Sequence, residues 1–574
     1  MAPGADKKRK EWLYAEVGTI HKSWHDRVRV ALIYPNRYAV GMASLGFQSV
    51  YRLLNAMDRV VCERVFLPEA DQANRPLVSL ESGRKLGEFD CLAFSLSFEN
   101  DYANVLTILQ KAELPLLAAE RGASLPLVLA GGVSAFINPE PVAPFIDCFL
   151  IGEAEEMVPA FFERFNPQED RKQFLLDAAR DLTGVYVPAF YTVSYHQDGT
   201  IDRWVPVEAV PGRIQRAYAS DIGQFDTTSS VVTPNTTFDD AYLIEVSRGC
   251  PHGCRFCAAG YVYRPPRFRP SPRLLHAMHQ GVDRTSKVGL LGAAVSDLPD
   301  LKALCDFGKQ HQLQLSFSSL RADALDDELI AALKSGRLKT ATIAPETGSE
   351  RMRRVINKGL DEAAILDAAE KLVANGIPNL KLYFMVGLPT ETDEDVGAIV
   401  ALIKKIKHRF LSSSRARGRM GTITVSLNSF VPKPFTPFQW VAMDEVSTLK
   451  QKIKRIKSEL KRVANVRVHA DVPRWAHLQA LMSRGDRRVA QLLLLAHENG
   501  GNWPQTFKNS PLNPSFYVHR ERERDECLPW DFIDHRLDKD FLWNEYQRAL
   551  KAKETLPCPA DPENCNFCGV CKQR

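Results

Sequence analysis

The sequence contains no long apolar run. No stretch reaches the ~20 apolar residues that a membrane-spanning helix needs. The basic segment 1–10 is not followed by the apolar stretch of a signal peptide. We therefore expect a cytoplasmic protein without a membrane span.

A disulfide framework is also lacking. Seven of the 12 cysteines fall in two short clusters and the other five are scattered, which is typical of an intracellular protein with metal sites. No charge dominates, because 74 Lys and Arg against 69 Asp and Glu give a net charge of +5. That balance permits an anionic partner without requiring one.

The 574 residues are too many for one hydrophobic core, since single cores rarely exceed roughly 250–300 residues. In the first region, 1–180, predicted strands alternate with helices, which indicates a Rossmann-like parallel sheet covered on both faces. The predicted strands are 28–34, 59–67, 90–98, 125–130 and 148–151. Ligands bind at the carboxyl edge of such sheets, where small or polar residues follow the strands, namely Gly41, Ser44, Ser95, Ser97, Gly131, Gly132, Gly152 and Glu153.

Three further regions follow. Residues 181–239 are predicted to form a connector with a β-hairpin. Residues 240–440 contain six strand–helix units, with strands at 240–247, 288–294, 313–318, 340–344, 380–386 and 423–430. Residues 441–574 form a C-terminal α+β extension, in which 444–464 has the apolar periodicity of an amphipathic helix. The fold class is therefore α/β.

Cys250, Cys254 and Cys257 form a C-x3-C-x2-C motif directly after the strand at 240–247. Three thiolates are one fewer than an iron–sulfur cube usually takes, so one iron is left open for substrate chemistry. The alternative is a zinc site, but zinc usually takes two separated pairs of ligands. No second pair follows this motif closely.

With this motif at the end of a barrel strand, the chain resembles the radical S-adenosylmethionine (SAM) superfamily. The resemblance implies a partial (β/α)6 barrel, a [4Fe–4S] cluster on the three cysteines, and reductive cleavage of SAM to a 5′-deoxyadenosyl radical. It also implies a reductant such as flavodoxin or ferredoxin. The SAM contacts that it implies are Phe256, Gly292, Ser319, Arg321, Glu346, Arg351 and Gly387.

The first region resembles the cobalamin-binding domain that precedes many radical SAM barrels. The resemblance implies cobalamin contacts at the glycine, serine and glutamate positions named above. One departure is that no histidine occurs between residues 26 and 195, so a histidine of this domain cannot ligate cobalt. Either cobalamin binds without a histidine ligand, or the domain is an empty module that serves as an interaction platform.

Four cysteines, Cys558, Cys565, Cys568 and Cys571, stand close together near the end of the sequence. They can surround one metal centre completely, as an auxiliary [4Fe–4S] cluster or as structural zinc. Together with the first two regions, this tail resembles a group of cobalamin-binding-domain radical SAM proteins.

The resemblance implies cobalamin-dependent C-methylation of an unactivated carbon. Two alternatives stay open: a radical rearrangement or sulfur insertion without methylation, and an RNA-associated iron–sulfur binding protein. Scattered Lys and Arg strips favour RNA slightly over a peptide, a lipid or a small metabolite as the substrate.

Overall fold

We analysed a computed structural model of the chain. It describes residues 3–69, 75–318, 320–335, 338–415, 420–559, 565 and 567–573. In this part of the chain, no helix combines the length and the apolar composition that crossing a membrane requires.

The N-terminal region is a six-stranded sheet, and its first five strands run parallel. In spatial order its strands are Val60–Leu67, Val28–Arg37, Cys91–Ser95, Leu127–Gly131, Cys148–Leu150 and the antiparallel Val185–Tyr186. The strands are buried almost without interruption because helices cover both faces. These helices are Leu45–Ala56, Tyr102–Lys111, Val133–Ile137, Ala154–Arg164 and Arg171–Asp181, with Pro3–Ala15 and Tyr38–Gly41 preceding them. The predicted Rossmann-like sheet is confirmed.

A hairpin of Tyr191–Tyr195 and Ile201–Pro206 follows, as predicted. The barrel then contributes two parallel sheets. The first holds Tyr242–Glu245, Lys287–Leu291 and Gln314–Phe317. The second holds Thr340–Glu346, Asn379–Val386, Ile423–Ser429 and Val466–Ala470.

Six of these seven strands fall at the predicted positions. The seventh, Val466–Ala470, lies beyond residue 440 and pairs in parallel with Ile423–Ser429. The barrel wall therefore continues into the segment that the sequence assigned to a separate extension. The helices of the barrel are Ala259–Val262, Ser271–Val282, Leu301–Gln310, Asp327–Ser335, Glu350–Val355, Glu362–Ala374, Asp393–Arg415 and Val446–Leu460.

The strands of the second barrel sheet alternate between buried and partly exposed residues. In Asn379–Val386, the side chains of Leu380, Leu382 and Phe384 are fully buried, whereas Lys381 and Tyr383 are not. Successive side chains of a strand point to opposite faces, so one face packs against the helices and the other lines the inside of the barrel.

The rest of the C-terminal region is helical, with helices at Pro473–Arg484, Val489–Glu498, Trp503–Asn509, Pro514–Val518 and Lys539–Leu550. A short strand, Ile533–Asp534, pairs with Ile214–Gln215 of the connector. This pairing ties the C-terminal region to the segment between the two larger sheets.

Candidate active site

The three cysteines of the C-x3-C-x2-C motif lie on a loop, residues 249–258, which we call the cysteine loop. It follows Ser247–Arg248, a short strand paired with Arg267–Phe268. Gly249 begins the loop with φ +80°, and a Cβ there would lie 2.7 Å from the carbonyl oxygen of Tyr263. Only glycine fits this position without a shift of the backbone.

Burial controls the protonation of these thiols. It raises the pKa of Cys250 to about 12 and also raises the pKa values of Cys254 and Cys257. At Cys254 the nearby ammonium of Lys358 opposes this effect of burial. Thiolates bind metals, and a bound cation deprotonates a coordinating thiol. This donor set fits a metal centre that brings its own positive charge.

Arg255 lies between the second and third cysteines and is fully buried. Its guanidinium pairs with Glu545 of the helix Lys539–Leu550 at 3.0 Å. It also donates hydrogen bonds to the carbonyl oxygens of Val355 and Lys553, at 3.0 and 2.7 Å. The cysteine loop is thereby held from both the barrel and the C-terminal region.

The first of the C-terminal cysteines, Cys558, lies directly against the cysteine loop. The backbone N–H of Cys558 donates to the carbonyl oxygen of Pro251 at 2.8 Å. Arg264 is buried, and its guanidinium lies close to the sulfurs of Cys558 and Cys568. The sequence separates the two cysteine sets by about three hundred residues, and the fold brings Cys558 of the second set against the loop that carries the first.

Among the residues that the structure describes, no three His, Cys, Asp or Glu side chains converge closely enough to hold a single metal ion. A cube spaces its cysteine sulfurs more widely than one tetrahedral ion does, because each sulfur binds a different iron. The choice between iron–sulfur and zinc at the C-terminal cysteines stays a prediction.

A second tether of the cysteine loop was not predicted from the sequence. His252 Nε2 lies 2.6 Å from Oδ2 of Asp297, which belongs to the segment after the second barrel strand. Gly292 lies at the start of that segment, and its N–H donates to Ser318 at 3.0 Å. The predicted glycine element and the cysteine loop are therefore linked through Asp297.

The predicted SAM contacts divide into two groups. Glu346 lies close to the cysteines, because its carboxylate pairs at 3.1 Å with Lys358. Burial raises the pKa of Cys254, and the positive charge of this lysine opposes that rise. Arg321 is also close to Cys254, although Asp323 pairs with its guanidinium at 2.8 Å. These two side chains are brought together with the cysteine loop.

The other predicted SAM contacts have different surroundings. Arg351 is directed to Asp395 and to Thr390, which hold its guanidinium. The N–H of Gly387 donates to Glu391 at 2.8 Å. Phe256 is half-buried and packs against the hydrophobic core. Ser319 lies outside the described residues.

A cavity of about 450 Å³ opens between the N-terminal sheet and the start of the barrel. This interdomain cavity is within the size range of small-molecule sites, about 300–1,000 Å³. It is lined by seven of the predicted cobalamin residues together with Gly292, namely Ser44, Ser95, Ser97, Gly131, Gly132, Gly152, Glu153 and Gly292. Its other walls are largely apolar and include Leu45, Val50, Phe94, Met157 and Val158.

Gly41, the eighth predicted cobalamin residue, does not line the interdomain cavity. A Cβ at Gly41 would lie 2.5 Å from the ring of Phe66. The glycine is explained by this close packing of the chain against an aromatic ring.

The polar wall of the interdomain cavity is an ion-pair network. Glu153 pairs with Arg267 at 2.6 Å, with Arg248 at 2.9 Å and with Arg216 at 3.5 Å. Burial alone would raise the pKa of Glu153, but hydrogen bonds from Arg267 and the charges of the other two arginines lower it to about 2. The carboxylate is therefore ionised, and it joins the N-terminal sheet to the strand that leads into the cysteine loop.

The sequence also matches known families over these elements. Residues 244–403 match the family model of the Radical SAM superfamily, and residues 46–188 match that of Radical SAM proteins, N-terminal. The first match includes the cysteine loop. The chain belongs to the radical SAM superfamily. It is accordingly a radical SAM enzyme, and the superfamily implies a [4Fe–4S] cluster and SAM.

Individual proteins are also similar in sequence to this chain. A protein of Methanocaldococcus jannaschii described as uncharacterized is 31% identical over 81% of this radical SAM chain and 90% of its own length. A tRNA-2-methylthio-N(6)-dimethylallyladenosine synthase of Pseudothermotoga lettingae is 26% identical over 33% of this chain, and the match spans 47% of that enzyme.

Among solved structures, the radical SAM methyltransferase TsrM of Kitasatospora setae aligns with 69% of this chain and 72% of its own. The sequence identity is 12% and the TM-score is 0.44.

Proposed function

We propose that this radical SAM enzyme binds cobalamin in the interdomain cavity and methylates an unactivated carbon. The observation that carries the proposal is the continuity of the cavity. Its lining runs from Ser95 and Gly131 of the N-terminal sheet to Gly249 of the cysteine loop and Gly292 of the barrel. A ligand there would touch both halves of the enzyme.

The residues of the cavity suit a ligand with apolar and polar parts. Leu45, Val50 and Met157 offer an apolar lining between two helices of the N-terminal region. Ser95 and Ser97 offer hydroxyl groups at the carboxyl edge of the sheet. When bound, the cluster, SAM and cobalamin would supply a one-electron reductive cleavage and a methyl group for transfer.

The protein's own residues hold the cysteine loop in position and keep water away from the reacting groups. Arg255 and His252 fix the cysteine loop through Glu545 and Asp297. Lys358 is held beside Cys254 by Glu346, where its positive charge would favour a negatively charged cluster. Fixing reactants at short range in a cavity shielded from water supplies the effective concentration that a radical step needs.

RNA is our proposal for the substrate class. The tRNA-modifying relative from Pseudothermotoga lettingae matches a third of this chain, and the protein carries Lys and Arg strips that suit a polyanion. The reductant that we propose is a small electron carrier such as flavodoxin or ferredoxin.

The test is anaerobic reconstitution followed by addition of dithionite and SAM. We expect 5′-deoxyadenosine from the wild type and none from Cys254→Ser, whereas Cys305→Ser, a buried cysteine outside both sets, behaves as the wild type. An iron-loaded wild-type protein that releases no 5′-deoxyadenosine would refute the radical reaction.

Cobalamin needs its own measurement. We expect the purified protein to retain cobalamin, seen in its visible spectrum and by cobalt content, and to transfer a labelled methyl group from SAM. If the protein forms 5′-deoxyadenosine but never binds added cobalamin, the methylation proposal is refuted, and a radical rearrangement or sulfur insertion takes its place.

A further inference from the structure

The inside of the barrel carries a basic surface that the proposed chemistry does not use. We call it the concave face. It consists of the inward-facing residues of the last three barrel strands, namely Lys381, Tyr383, Met385, Thr424, Ser426, Asn428, Arg467 and His469. Strand register places Lys381 beside Thr424 and Arg467, and Tyr383 beside Ser426 and His469. Neighbouring side chains in register share one face of a sheet, so these rows form one surface.

The charged residues of the concave face are all basic. None of its eight residues is acidic. Arg467 and His469 are exposed, and within the described ranges no carboxylate pairs with Lys381 or Arg467. Lys358 and Arg321, which lie near the cysteines, are by contrast each paired with a carboxylate. An unpaired basic surface inside an enzyme is suited to an anionic ligand.

The ammonium of Lys381 lies 4.8 Å from the centre of the Tyr383 ring. Tyr383 is the next inward-facing residue toward the carboxyl end of the strand. The charge is therefore directed toward the end of the barrel at which the cysteine loop lies.

Two exposed aromatic rings lie beyond the carboxyl ends of strands, one after the seventh barrel strand and one in the N-terminal region. Trp475 follows the seventh strand and is 47% exposed, and Phe98 of the N-terminal region is 42% exposed. The side-chain amide of Asn100 donates to the carbonyl oxygen of Trp475 at 3.4 Å, so the two segments meet. The guanidinium of Arg474 lies 5.4 Å from the Trp475 ring. Large exposed rings beside basic side chains are typical of surfaces that stack unpaired bases.

We propose that the concave face binds a single-stranded RNA segment of the substrate, with its phosphates on Lys381 and Arg467 and a base against Trp475. This inference rests on the proposed function and adds the place where its substrate binds. An RNA strand suits both the basic side chains and the exposed aromatic ring, because its backbone is anionic and every base has a face that can stack.

The experiment is a binding titration of the anaerobically reconstituted full-length protein, without dithionite. The probe is a labelled single-stranded RNA of mixed sequence, about 12 nucleotides long. We expect Lys381→Gln and Arg467→Gln each to weaken binding several-fold and to reduce the slope of log K against log salt by about 0.7. Trp475→Ala should weaken binding about tenfold with little change in that slope.

The control variants are Lys309→Gln and Lys404→Gln, which remove exposed lysines on the outer helices Leu301–Gln310 and Asp393–Arg415. They should bind RNA as the wild type does. Equal losses in the control and concave-face variants, or no loss at Arg467→Gln, would overturn the proposal. So would binding of double-stranded RNA or of polyglutamate as tightly as single-stranded RNA. Because the titration involves no SAM cleavage, its failure would leave the test of the radical reaction untouched.

Discussion

Arg255 and Glu545 form a buried ion pair at 3.0 Å, with 0% and 4% of their side chains exposed. The arginine stands inside the cysteine motif and the glutamate belongs to the C-terminal helix Lys539–Leu550. The C-terminal region is thereby a structural part of the predicted cluster site.

Glu545→Gln should therefore destabilise the protein and lower its iron content. Breaking a buried ion pair leaves an uncompensated charge, which costs about 3–5 kcal/mol. Thermal unfolding and iron analysis measure the two effects. Glu554→Gln changes an exposed carboxylate in the same region and should alter neither. Equal behaviour of the two variants would show that Arg255 does not need its partner.

Asp297→Ala should slow SAM cleavage by about ten- to a hundredfold while the protein still binds iron. The carboxylate holds His252 of the cysteine loop at 2.6 Å, and small misplacements of reacting groups are costly. The rate of 5′-deoxyadenosine formation is the readout, with the exposed Asp306→Ala as control. A wild-type rate in Asp297→Ala would argue against the tether.

Gly131→Leu should weaken cobalamin binding about tenfold, because it projects a side chain into the interdomain cavity. A Cβ at this position meets only an ordinary contact, 3.5 Å from the carbonyl oxygen of Leu150. Titration with cobalamin, followed by absorbance, measures the change. Gly122→Leu, at an exposed glycine with open space around it, should bind normally. Unchanged binding in both variants would place cobalamin elsewhere.

Acid should destabilise the fold through His535. Burial lowers the pKa of this histidine from 6.5 to about 3. Above pH 6.5 the ring is neutral in both states. As the pH falls from 6.5 toward 3, the unfolded chain takes up a proton that the folded chain does not, so the free energy of unfolding decreases by roughly 1 kcal/mol per pH unit. Denaturant unfolding at several pH values should show a flatter dependence for His535→Gln than for the wild type or the exposed His276→Gln.

Cys568→Ala should remove the metal of the C-terminal cysteines and leave the iron of the cysteine loop in place. Cys568 is buried beside Arg264, and four thiolates are needed to enclose one centre. Separate iron and zinc analysis decides which metal is lost. The matched variant Cys305→Ala should keep the wild-type content. Wild-type amounts of both metals in Cys568→Ala would show that the C-terminal cysteines do not form a metal site.

Local patterns predicted much of the fold. Val28–Arg37 is buried along nearly its whole length, so its apolar run was visible in the sequence. The cysteine spacing was equally local. The seventh strand was missed because Val466–Ala470 is short and carries an arginine and a histidine, a pattern that gives no strong strand signal.

Long-range contacts could not be predicted in the same way. Nothing near Glu153 in the sequence indicates that Arg216, Arg248 and Arg267 will surround it. The packing of Gly41 was hidden for a similar reason, since its contact with Phe66 depends on a strand that follows later in the chain. Ion pairs between distant segments depend on tertiary packing, which one sequence does not display.

The partners of Arg255 have a consequence for biosynthesis. Glu545 and Lys553 lie 290 and 298 residues downstream of it. At a translation rate of about 5–20 residues per second, the three thiols are synthesised roughly 15–60 s before Glu545 and Lys553. During that interval the three predicted iron ligands are exposed to solvent, and they are buried only after the C-terminal helix Lys539–Leu550 has been synthesised and has packed against them.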